Sequence, residues 1–248
     1  MRIPGEGTEM MIDRKQEYKV YQAIKKLGIC DTVRFIDPET GYKLTEFIEN
    51  ARCCDAGNEQ EVRACMQVLR RFHQSGVQVG HAFDIFERME YYESLWKGEP
   101  SCYRDYEKTK AKVYELKEYL DQQPKHLGLC HIDSVSDNFL MTENQIRLID
   151  WEYAGMQDTD VDIAMFAVYA MYDKNQVDQL IQAYYIEGCE APVRVKIYAY
   201  IAVCGLLWSN WCEVKRREGV EFGEYSLRQY RYAKEYYKYV KEEQKNVI

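Results

Sequence analysis

The chain has 248 residues, 46% hydrophobic and 30% charged, enough to bury a substantial core as one large domain or two small lobes. A net charge of −8 and a pI near 5.2 argue against a general nucleic-acid binder, which presents a basic face, and are compatible with a small cationic ligand. Nine cysteines, at 30, 53, 54, 65, 102, 130, 189, 204 and 212, form no Cys-x-x-Cys pair. With no signal peptide in view they read as reduced thiols of a cytoplasmic protein.

Residues 1–8 read as the end of a strand running into a loop, because Pro4, Gly5 and Gly7 stop regular structure. Gly5-Glu6-Gly7 is too short for a nucleotide fingerprint and reads as a turn. Tyr18, Tyr21 and Ile24 at helical spacing, with Gly28 just beyond, predict a helix over 12–27 that carries Glu17. Residues 33–36 and 42–48 read as two strands of a hairpin joined by the turn-rich segment 37–41. A helix over 58–74 places Val62, Cys65, Met66, Leu69 and Phe72 on one face. The stretch 80–96 includes another helix, and 103–120 forms a further one that Pro124 ends. Helices follow near 161–171, 176–185, 192–217 and 226–245. The uncharged run 197–212 is short for a membrane span and contains Ser209 and Asn210, so it reads as a buried core helix. The class is α+β, with a small α/β lobe at 1–50 and a larger, mainly helical lobe at 51–248.

The chemistry concentrates between 128 and 155. His131-Ile132-Asp133 is followed five residues later by Asn138, then by an apolar run ending at Asp150. Phosphoryl transfer needs a carboxylate to orient the attacking hydroxyl and take its proton, and hard oxygen ligands for magnesium on the nucleotide phosphates. An Asp-x4-Asn loop, a hairpin over 139–149 turning at 142–145, and a terminal Asp supply that set in the protein-kinase arrangement. His131 reads as structural, bonding backbone rather than moving a proton.

Beyond these residues, LCHIDSVSDNFL and LIDWEYAGMQDTDVDIA, within 129–164, closely resemble the choline/ethanolamine kinase family, particularly its bacterial LicA-like branch. The resemblance extends over nearly all of the chain, through RIPGEGTEMMIDRKQE, TEFIEN, LRRFHQSG, LLWSNW and EFGEYSLRQY. It implies the aminoglycoside-phosphotransferase variant of the two-lobed protein-kinase fold, with ATP and Mg2+ as co-substrate and cofactor. By resemblance Asp133 is the catalytic base, and Asn138 and Asp150 bind magnesium. Arg2 is the phosphate-contacting basic residue, paired with Glu17, and Glu46 to Ile48 offer backbone groups to adenine. Phe47 itself is either hinge or core. Asp162 resembles an aspartate that braces the catalytic loop.

The expected substrate is choline or a related cationic amino alcohol. Trp208 and Trp211, three apart on a helix, project from one face, and tryptophan faces attract quaternary ammonium. Alone such a pair is more often core; beside the catalytic motif it reads as a pocket, with Glu152 adding charge. Tyr153, Tyr225 and Tyr230 are further candidate walls. Asp158 and Asp160 read as a solvated acidic loop. Ethanolamine or an aminoglycoside is the nearest rival substrate.

Complete family members carry two strands and a phosphate-covering turn before the segment that opens here, so the small lobe is expected to be N-terminally truncated. Weak nucleotide affinity would follow, and a catalytically weak choline-binding protein is the rival from another class. A homodimer is compatible with the sequence, which does not set the oligomeric state.

Overall fold

In the computed structural model, which describes residues 1–5 and 10–246, helix α1 (Arg14–Ile24) begins where the Asp13 carboxylate accepts the amides of Lys15 and Gln16. It buries Glu17, Val20, Tyr21 and Ile24; of the predicted face Tyr21 and Ile24 are buried and Tyr18 is half-buried. Strands β1 (Val33–Ile36) and β2 (Lys43–Thr45) pair antiparallel, and Arg2 extends this sheet by exchanging two backbone hydrogen bonds with Lys43. The second strand is therefore shorter than the predicted 42–48. Beyond Thr45 the chain leaves the sheet, and Phe47, 89% exposed, is not a core residue. The predicted turn at Gly5-Glu6-Gly7 lies partly outside the described residues.

The larger part begins with β3 (Arg52–Cys53) and α2 (Glu59–His73), capped by Asn58, followed by α3 (Ile85–Ser94) and α4 (Tyr106–Asp121). Then come β4 (Leu127–Cys130), a 3-10 turn at Ser136–Asn138, β5 (Phe139–Met141), β6 (Ile146–Leu148) and β7 (Gly155–Asp158). The predicted hairpin is present, with Phe139 opposite Leu148, and β3 adds to its free edge. β7 pairs antiparallel with β4 and closes the loop that carries the catalytic motif from the other side. Helices α5 (Asp160–Tyr169), α6 (Lys174–Tyr184), α7 (Ala191–Arg217) and α8 (Glu224–Asn246) complete the chain.

α5 is buried on every side, consistent with its nearly uninterrupted apolar sequence. α7 is long and apolar enough to cross a membrane, but 78% of its most apolar stretch is buried against protein. It is the central core helix, packed on α8, α5, α3 and α4.

Asp158 and Asp160 correct the reading as a solvated loop. Both are 0% exposed, and Lys196 of α7 reaches them at 2.8 and 3.0 Å. The pairing partner lies far along the chain, on a helix whose apolar run hides its one buried cation, so local charge pattern could not reveal it.

Candidate active site

The catalytic loop owes its shape to two residues in the left-handed region, Ile132 at φ 70 and Asp150 at φ 64. A β-branched residue at such a φ is strained, and the surroundings must hold it. Asp162, fully buried on α5, does so by accepting the amides of His131 and Ile132 at 2.8 and 2.7 Å. Its own position is fixed by His73 at 2.9 Å, and Ser134 donates to its backbone carbonyl at 2.7 Å. His131 is fully buried, with Nε2 2.8 Å from the Ile149 carbonyl and its ring edge-on to Trp151. Burial, outweighing the nearby carboxylate of Asp162, lowers its pKa and favours the neutral imidazole, which suits a spacer between the two halves of the loop.

Asp133 faces a pocket of about 600 Å³. Asn138 donates to its carbonyl at 2.8 Å and to its carboxylate at 3.0 Å, both through Nδ2, which leaves Oδ1 as the amide oxygen to offer a cation. Burial first, then the charge of Asp150, push Asp133 up to about 7, against the hydrogen bond from Asn138. The side chain of Asp150 is 38% exposed, and the Asn138 carbonyl accepts the Ile149 amide at 2.9 Å, tying the two candidate ligand residues together. Asn138 and Asp150 supply hard oxygens, the donor type that magnesium takes, so the residues present fit that ion.

On the other side of Asp150 lies a cluster of three carboxylates and three cations. Arg2 and Glu17 form a two-point pair at 2.6 and 2.7 Å, as the motif match implies. Burial raises the pKa of Glu17, but Arg2 outweighs it and the net shift is downward. Arg2 also lies 3.4 Å from Asp150 and 3.2 Å from Glu152. Two members were missed by sequence reasoning. Lys43 of β2, 6% exposed, lies 3.6 Å from Glu17 and 3.8 Å from Asp150, and Arg14 bridges Glu17 and Glu152. A lysine in a three-residue strand and an arginine in a first helical turn carry no local mark of this.

The pocket in front of Asp133 is walled by a run of aromatic rings. Tyr153 meets Trp208 edge-on at 6.3 Å and Trp208 meets Trp211 at 5.8 Å. Trp211 lies 5.0 Å from Phe222, Phe222 6.2 Å from Tyr225, and Tyr225 6.1 Å from Tyr169. Glu152 and Asp137 join Asp133 as carboxylates in the lining. Trp208, Trp211, Tyr153, Tyr225 and Glu152 thus come together as expected, whereas Asp137, Tyr169 and Phe222 were missed. Phe222 stands in the quoted EFGEY segment and could have been found there. Tyr230 is no wall of this pocket; it stacks on Tyr103 at 3.8 Å and binds Asp105 and Thr109.

The residues expected at the hinge sit apart from these carboxylates. Glu46, Phe47 and Ile48 line a separate cavity of about 410 Å³ together with the turn 142–145, and neither Asp133, Asn138 nor Asp150 borders it. The Glu46 amide donates to Thr32 and its carboxylate binds Arg34.

The sequence model of the choline/ethanolamine kinase family matches residues 1–202. Protein LicA of Haemophilus influenzae is 27% identical over 242 residues, covering 92% of this chain and 89% of the relative. The solved choline kinase LicA of Streptococcus pneumoniae superposes with a TM-score of 0.83 at 28% identity, covering 95% of this chain and 84% of the other. A LicA structure in complex with AMP gives 0.84 at 27% identity, with 96% and 83% covered. With the family match spanning both the carboxylate–guanidinium cluster and the catalytic loop, the chain belongs to the choline/ethanolamine kinase family, as an ATP-dependent small-molecule kinase of the protein-kinase-like α+β fold.

Proposed function

We propose that the protein transfers the γ-phosphoryl group of ATP to the hydroxyl of choline, giving phosphocholine. The observation that carries this reading is the run of rings from Tyr153 to Tyr169, lined with carboxylates and opening on Asp133. Aromatic faces hold a quaternary ammonium through the ring quadrupole, and Glu152 adds charge attraction without asking the ligand for a hydrogen-bond donor. An aminoglycoside would call for a pocket lined mainly by carboxylates.

In this reading Trp208, Trp211, Tyr225 and Glu152 hold the cationic head and point the hydroxyl at Asp133. A carboxyl group with a pKa of about 7 sits close to neutrality, where a base can both be ionised and accept a proton. Asp133 orients the hydroxyl and takes its proton as the oxygen attacks phosphorus. Asn138 and Asp150 would hold magnesium, which when bound neutralises charge on the phosphate oxygens. Arg2, kept in place by Glu17, contacts the phosphates, and the backbone of Glu46 to Ile48 faces the adenine. As ATP is an intracellular co-substrate, the cytoplasm is the proposed compartment.

The test is a coupled ADP-release assay over choline, ethanolamine and kanamycin, with and without magnesium. Choline-dependent turnover that requires magnesium is expected. Turnover on kanamycin with none on choline would overturn the reading.

A further inference from the structure

Four side chains next to the substrate pocket form a closed ring of ion pairs. Arg2 holds Glu17 at 2.6 Å, Glu17 holds Arg14 at 3.0 Å, Arg14 holds Glu152 at 2.9 Å, and Glu152 returns to Arg2 at 3.2 Å. Among the described residues, two guanidinium and two carboxylate charges balance within it, and Lys43 and Asp150 balance outside it. Only Glu152 also lines the aromatic pocket. Arg14 belongs to neither the pocket nor the catalytic loop, yet its side chain is only 9% exposed.

Gly41 seats both arginines. Its carbonyl accepts from Arg2 at 3.0 Å, and at φ +74 it leaves room for the Arg14 stem, since a Cβ there would lie 2.7 Å from Arg14 Cδ and Nε. Both guanidinium groups are thus held against one turn of backbone.

The geometry points to Arg14 as a positioning residue that couples occupancy of the nucleotide site to affinity for the cationic substrate. This inference rests on the functional reading above. Without nucleotide, Glu152 is neutralised by Arg2 and Arg14 together, so its pull on a cation in the pocket is weak. A bound triphosphate draws Arg2 toward its oxygens and away from Glu152. Arg14, anchored by Glu17, stays and holds Glu152 at the pocket wall with part of its charge uncovered. Nucleotide therefore strengthens cation binding, and by linkage the cation strengthens nucleotide binding. In an Arg14 variant, Glu152 is already partly uncovered without nucleotide, so cation affinity is not weakened there, and Glu152 loses its remaining anchor once Arg2 turns away, so the gain from nucleotide is lost.

The experiment is calorimetric titration of choline into the protein, with and without saturating magnesium and a non-hydrolysable ATP analogue. In the unaltered protein the analogue is expected to tighten choline binding by about 5- to 10-fold, within the usual range for coupled sites. In Arg14→Gln the gain should fall below about 2-fold, with the analogue-free choline Kd no weaker than in the unaltered protein; Arg14→Lys should restore part of it. Gly41→Ala, which displaces the Arg14 stem and alters no charge, should reproduce the loss with the analogue's own Kd unchanged, the sign that Arg2 is undisturbed, and carries the test if Arg14→Gln fails to fold. Choline binding in the unaltered protein that ignores the analogue, or full coupling in Arg14→Gln, overturns this inference alone. Absence of choline binding in every state overturns the choline reading and this inference with it.

Discussion

The carboxylate of Asp162 accepts the amide of Ile132 at 2.7 Å and so holds a β-branched residue at φ 70, one position before Asp133. The same carboxylate takes the amide of His131, so both backbone donors point inward and the Asp133 side chain is turned to the pocket.

Asp162→Asn replaces one accepting oxygen by a donor that faces an amide N–H. Stability should fall by about 2–3 kcal/mol, since a charged acceptor is lost and a buried donor left unpaired. Turnover should fall by roughly 100-fold through misplacement of Asp133. Denaturant melts and steady-state kinetics check the two effects, and full turnover in a destabilised variant would leave Asp162 a purely structural role.

Asp133→Asn removes the proposed base while keeping size and the contact with Asn138. The expected loss of turnover is about 10²- to 10⁴-fold, the usual worth of a positioned base. Choline affinity by calorimetry should stay within about 2-fold, because in the proposed reading the cation is held by the rings rather than by Asp133. Unchanged turnover would remove Asp133 from the mechanism.

Trp211→Leu tests the aromatic wall. Trp211 sits between Trp208 and Phe222, and its indole Nε1 has no hydrogen-bond partner among the described residues, so its removal forfeits ring face and no polar contact there. Losing one cation–π contact of about 0.5–2 kcal/mol should raise the KM for choline by roughly 2- to 30-fold. The KM for ATP should not move, and equal rises in both would indicate a general loss of structure instead.

The parts of the site that could be read from the chain are those built locally. Asp133, Asn138 and the 139–149 hairpin lie within one short stretch, where spacing and turn residues are themselves the structure. Arg14 and Lys43 escaped because their roles arise only when α1, β2 and the loop after β6 meet. β7 escaped because Gly155-Met156-Gln157-Asp158 has little strand propensity. It forms because Gly155, whose Cβ would lie 2.9 Å from the Phe83 amide nitrogen, lets the backbone come close to the segment before α3. The charges of Asp158 and Asp160 misled for the same reason, since their counter-ion is Lys196 on α7.

Lys196→Met should unmask that buried pairing. With no counter-charge, two fully buried carboxylates remain, already opposed by desolvation that raises Asp160 against the pull of Lys196. Breaking such a pair from one side costs about 3–5 kcal/mol. Adding Asp160→Asn should recover part of the loss, as measured by chemical denaturation. A Lys196→Met protein as stable as the unaltered one would mean that these groups are neutral in the fold.

Acid should reveal a second anchor, Glu213 of α7, which turns away from the substrate pocket to hold the segment before α4. Its carboxylate accepts the Cys102 amide at 3.0 Å and the Ser101 hydroxyl at 3.2 Å, and it pairs with Arg216 and Arg217 at 3.0 and 2.6 Å. Burial works to raise its pKa, but these donors prevail and hold it at about 2, below its ordinary 4.5. A depressed folded-state value means that the unfolded chain binds the proton first. The stabilisation is therefore complete above about pH 4.5 and is lost as the pH falls toward 2. Glu213→Gln should be less stable than the unaltered protein at pH 7, and the gap should close across that interval. Urea midpoints at a series of pH values check this; a gap that stays constant down to pH 2 would assign the effect of Glu213 to packing rather than charge.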